Sequence, residues 1–176
     1  LRRWPSVGAA ALGKYAAIVW DVGDRSSATL SLQDQQLLQE WLKLPGSNRG
    51  LLVAGDNLAY DLVANRQDIG TFLSCALGVT YLRDVWETIP QDSLSPTLSG
   101  ASNTRIASEP FPISGICPGV NRFDAFLPSP CAGAKARAWV LYPNTNVAAV
   151  EMRDSVGVVA DSSRSVLLGF GFVVWA

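Results

Sequence analysis

The chain has 176 residues, 14 basic and 15 acidic side chains, no histidine, and 48% hydrophobic residues. That length suits a single domain spanning 1–176, and the composition can build a sizeable core. With no basic excess, nothing draws the chain onto nucleic acid. The longest apolar stretch, 166–176, is broken by Gly169 and Gly171 and falls short of the ~20 apolar residues a membrane span needs.

The chain opens Leu1-Arg2-Arg3-Trp4, with no apolar run that would mark a signal peptide. The expectation is a processed start or a piece of something longer. Ala16 to Val22 is a short run with both faces apolar, which predicts a buried strand. A helix should begin at Ser31, because Asp34 three residues later completes a capping-box pattern, and Pro45-Gly46 should stop it. Gly50 to Gly55 predicts a second buried strand. It runs into Asp56-Asn57, an N-cap pair for a helix reaching about Asn65. Asp68 should cap a further helix ending at Gly78, and Val79 to Leu82 a third short strand.

Strand, helix, strand, helix, strand implies a parallel sheet with right-handed crossovers. The fold class expected is therefore α/β: three layers, a mostly parallel sheet and helices on both faces. The segment 84–118 reads as an irregular insertion with one or two edge strands, its part from Pro90 to Pro118 being rich in Ser and Pro. The last third reads as β-rich: strands at Ala138–Tyr142, Val147–Met152, Val156–Ala160 and Ser165–Phe170, with a hairpin around Asp154-Ser155.

The missing histidine removes Ser-His-Asp and Cys-His catalysis, because nothing is left to accept the nucleophile's proton near neutral pH in the usual way. Three cysteines cannot make a four-cysteine zinc site. Cys75 lies in an apolar helical pattern and reads as a small buried hydrophobe. Cys117 and Cys131 flank a Pro- and Gly-rich loop. They are candidates for a disulfide, the alternative being two free thiols. No glycine-rich phosphate loop is present, and no metal site or cofactor is expected. Carboxylates remain: Asp21, Asp24, Asp56 and Asp61 lie at or just beyond the C-terminal ends of the first two strands, where open α/β sheets bind ligands. With Asn57 they form the candidate ligand-binding set. Turn and cap duty is the plainer reading. Trp86, Phe111 and Phe123 are candidate surface aromatics or loop anchors.

Three stretches carry a resemblance. They are Lys14-Tyr15-Ala16-Ala17-Ile18-Val19-Trp20-Asp21-Val22-Gly23-Asp24, followed by Leu30-Ser31 and its helix; Leu51-Leu52-Val53-Ala54-Gly55-Asp56-Asn57-Leu58-Ala59-Tyr60-Asp61-Leu62; and Val166-Leu167-Leu168-Gly169-Phe170-Gly171-Phe172. With the loop Cys117 to Asp124, they resemble the class I glutamine-amidotransferase-like, flavodoxin-like domains of large secreted bacterial proteins. The resemblance implies a secreted or cell-surface location and protein partners, as neighbouring domains or subunits. Two departures qualify it. Glutaminases of this class place a nucleophilic Cys on a Gly-x-Cys-x-Gly turn, where this chain has Gly55 or Asp56, and no His-x-Glu pair follows. The family's opening βαβ unit is also not matched, so the chain is expected to be the larger part of such a domain. The function expected is a non-catalytic accessory or interaction domain. The alternatives are a structural subunit of an extracellular assembly and a carboxylate- or metal-dependent hydrolase.

Overall fold

A computed structural model describes residues 8–23, 25–44, 48–65, 67–68, 71–89, 97–107, 109–112, 119–154 and 163–171. Strands dominate. In chain order the elements are α1 (Ala9–Leu12), β1 (Ala17–Asp21), α2 (Leu32–Leu42), β2 (Arg49–Ala54), α3 (Leu58–Ala64), α4 (Phe72–Cys75), β3 (Val79–Ile89), β4 (Thr97–Gly100), β5 (Pro110–Pro112), β6 (Gly119–Pro128), β7 (Lys135–Leu141), β8 (Val147–Asp154) and β9 (Ser163–Leu168).

The sheet runs β1-β2-β9-β8-β7-β4-β5. β3 pairs with β6, and β6 touches β8 at Phe126↔Val147. Among the named strands, only β1, β2 and β9 run parallel. Every other pairing of named strands is antiparallel. The expected mostly parallel, three-layer sheet is therefore corrected to a mixed sheet. The reason is connection length. Between β7 and β8 the chain has only 142–146, and between β8 and β9 only 155–162. A parallel crossover needs a dozen or more residues, so these strands must turn back on their neighbours.

The first half forms as its pattern dictates. Ser31 accepts from Asp34 N (3.2 Å) while the Asp34 carboxylate accepts from Ser31 N (3.1 Å), closing the capping box of α2. Trp41 on α2 is fully buried, and its indole N–H donates to Leu12 O at 3.0 Å, tying α1 down. The third strand is longer than its apolar run suggested. β3 continues to Ile89 against β6, so 84–89 and 119–124 form a two-stranded ribbon instead of an insertion and a loop. The possible strand at Val156–Ala160 lies outside the described residues.

The helices do not cover both faces. All four send their buried apolar residues into one cluster, against Leu51, Val53, Val150 and Leu167 of the sheet. A second cluster on Ala54, Ala149 and Leu168 is closed by Val85, Leu98 and Phe123, which come from β3, β4 and β6. Between this cap and the N-terminal ends of β1, β2 and β9 lies a row over which no helix lies among the described residues. Val19, Leu52 and Val166 stand side by side in the ladder. Val19 is 62% exposed, and Leu52 and Val166 are half-buried. β1 ends the sheet among the described residues.

Candidate functional site

At the β1–β2 end of the sheet, the described candidate carboxylates Asp21, Asp56 and Asp61 each hold different partners. Asp21 closes β1, is exposed, and accepts from Gly23 N at 3.0 Å, so it fixes its own turn. Asp24 lies outside the described residues. Asp56, in the turn after β2, is buried and accepts from Gly171 N at 2.7 Å, anchoring the chain beyond β9. Asp61 is fully buried on α3. One oxygen accepts from Thr29 N (2.9 Å) and Thr29 Oγ1 (2.8 Å), the other from Asn65 Nδ2 (2.5 Å). These bonds lock the polar loop before α2 onto α3.

The expected N-cap is corrected. Asn57 occupies the N-cap of α3, yet its side chain makes no capping bond, and its buried Oδ1 has no partner among the described residues. The capping carboxylate comes instead from β6. Asp124 accepts from Ala59 N at 2.7 Å and Tyr60 N at 3.3 Å. Asp124 is fully buried. Burial pushes its carboxyl well above the ordinary value. The two amides act in the opposite direction, and the charges of Asp84 and Asp56 add to the rise. The backbone fits tightly here. A Cβ on Gly169 would stand 2.1 Å from the Asp124 carbonyl oxygen, so only glycine allows β6 to lie against the end of β9.

Beside this cap lies a polar cluster absent from the candidate set. Asp84 accepts from Tyr81 Oη (2.6 Å) and from Arg122 Nε (2.6 Å), and the Arg122 guanidinium sits 3.9 Å from the centre of the Tyr60 ring. Burial, followed by the bond to Asp84, raises the Tyr81 phenol far above its usual value. Asp84 and Asp124 are directly opposite in the β3–β6 ladder. Arg122 neutralises the first, while backbone amides hold the second.

Asp61 and Asp124 do structural work. The carboxylate oxygens of Asp61 and Asp124 are held by amides and a hydroxyl, and no three Cys, Asp or Glu side chains are grouped to hold a metal among the described residues. Of the aromatics, Phe123 is fully buried and stacks on Tyr142 (6.1 Å between centroids), which makes it an anchor. Trp86 lies on β3 and Phe111 on β5, their side chains outside the described set. The disulfide is also corrected. Cys131 bonds to Cys75, across 4.9 Å between Cα atoms, so Cys75 is not an unbonded core thiol. Cys117 lies outside the described residues. The bridge ties α4 to the turn before β7, two elements that sequence spacing does not bring together.

Asp124 was hidden because its partner amides lie on an element 65 positions earlier. A carboxylate set between Phe123 and Ala125-Phe126-Leu127 was the available signal, since Asp is rarely fully buried without a partner.

Compared with family models, curated proteins and solved structures, the chain finds no match.

Proposed function

We propose that this chain is a non-catalytic accessory domain of a secreted or cell-surface bacterial protein, and that it docks another protein module on the sheet face opposite its helices. One observation carries the reading: Val19, Leu52 and Val166 form an apolar row on parallel strands, with Val19 62% exposed. All-parallel sheets have both faces covered, the three parallel strands here leave this row open, and an end strand such as β1 is a template for further pairing. The residues Ala17 to Asp21 include no Lys or Pro to discourage it.

Two further features support the reading. The Cys75–Cys131 bridge suits an oxidising compartment. The parallel β1–α2–β2 unit and β9 are compatible with an amidotransferase-like ancestry, in which the turn at Gly55-Asp56 carries no nucleophile.

The test is site-specific photo-crosslinking in the source organism, with a photoreactive phenylalanine analogue at Val19 and, as control, at the exposed Val63 of α3. The expected result is a discrete protein adduct from position 19 and none from position 63. An adduct made only of two copies of this chain would favour a structural subunit of an assembly. No adduct from position 19 would sink the docking reading.

A further inference from the structure

Next to the apolar row, nearer the start of β9, the same face carries an arrangement that normally costs stability. Lys135 on β7 is directly opposite Arg153 on β8, which is directly opposite Arg164 on β9. All three are exposed. Like charges directly opposite in a ladder destabilise it, and here three stand in line across three strands. The neighbouring row relieves little of this. Glu151 is directly opposite Arg137, accepting from its Nε at 2.7 Å, and also reaches Arg153 Nε at 3.5 Å. Arg137 further donates to Asn103 O at 2.8 Å. Glu151 therefore pairs with Arg137 and Arg153, while among the described side chains Lys135 and Arg164 form no ion pair, in a chain whose net charge is −1. Lys135, Arg137, Glu151 and Arg153 line a cavity of about 310 Å³.

We infer that this cationic ladder is a docking site for an acidic peptide segment, whose carboxylates supply counter-charge to Lys135, Arg153 and Arg164. The inference rests on the docking reading above and names the chemistry of the partner. Adjacent strands are about 4.8 Å apart, so the three cations span about 10 Å. Carboxylates three and four residues apart on one helix face lie about 5–6 Å apart, and two or three of them fit that span. Arginine suits the task because its planar fork takes a carboxylate through two parallel bonds. The ladder continues from Arg164 to Gly50 and Ala17, whose small side chains leave room beside the cations for the partner's backbone.

The experiment titrates a fluorescein-labelled hexaglutamate peptide into the intact chain at low and at physiological salt. Inorganic phosphate and a sulfated oligosaccharide serve as competitors. The expected result is saturable, salt-sensitive binding that weakens at least tenfold in Arg164→Glu and in Lys135→Glu but not in Lys14→Glu, whose side chain lies over Tyr15. Arg164→Glu should also melt no lower than the parent, because it exchanges a repulsive cross-strand pair for an attractive one. Folding failure is therefore not a hidden explanation. Equal binding by Arg164→Glu, or no binding of hexaglutamate, overturns the inference. So does binding of phosphate or the sulfated sugar alone. If crosslinking from Val19 persists while hexaglutamate fails, this inference falls and the docking reading stands.

Discussion

Asp124 caps a helix from a distant strand, a role none of the described carboxylates at the ends of the first two strands takes. It holds the first amides of α3 from a strand 65 positions away, inside the core. Its carboxyl titrates above the ordinary 3.8, burial being the main cause. The sign follows. The unfolded chain ionises near that value, whereas the folded chain resists ionisation, so this residue's contribution is greatest below about pH 4. It declines as pH rises through the folded-state value. Asp124→Asn keeps a hydrogen-bond acceptor and removes the titration. The melting temperature of Asp124→Asn minus that of the parent should therefore grow as pH increases from 4 to 7. A difference constant over that range would show that Asp124 does not titrate there. Asn57, in the position where sequence expects the cap, contributes no side-chain bond to the helix. Residue type announced that a cap was needed, but not which element would supply it.

At the scale of elements, local signals served wherever an element is set by its own residues. The capping box starts α2 as Ser31 and Asp34 require, and β2 and β9 sit on the apolar runs that announce them. The signals failed where pairing lengthens an element, as in β3 and β6, whose charged middle looks like a loop until the two strands are put together. The same failure hid the bridge from Cys75 to Cys131, which closes a loop over a separation of 56 positions. In the chain-entropy model a loop of that size is worth roughly 4 kcal/mol. Cys75→Ala should lower stability in urea unfolding by about that amount relative to the unreduced parent, and reduction of the parent should reproduce most of the loss. A variant as stable as the unreduced parent would remove the bridge from the account.

At the scale of the whole molecule, the two faces of β2 can be separated by a pair of adjacent residues. Leu51 faces the helices and is 2% exposed, while Leu52 sits half-buried between Val19 and Val166. Leu51→Ala should cost about 2–5 kcal/mol, the usual range for emptying a packed core site. Leu52→Ala, with solvent on part of its surface, should cost less than half as much in urea unfolding of the isolated chain. Equal costs would mean that these residues cover the second face themselves.

The sequence by itself determined the β1–α2–β2 unit, the β-rich character of the last third and the loss of histidine chemistry. Each of these follows from residue type and short-range periodicity. It also contained the evidence for antiparallel pairing, in connections too short for crossovers. Tertiary structure alone decided the rest: that helices cover one face, that a β6 carboxylate caps α3, that Cys131 pairs with Cys75, and that Lys135, Arg153 and Arg164 line up. All four depend on which strand lies beside which. That choice depends on burial and backbone pairing summed over distant parts of the chain, and no local window of sequence records it.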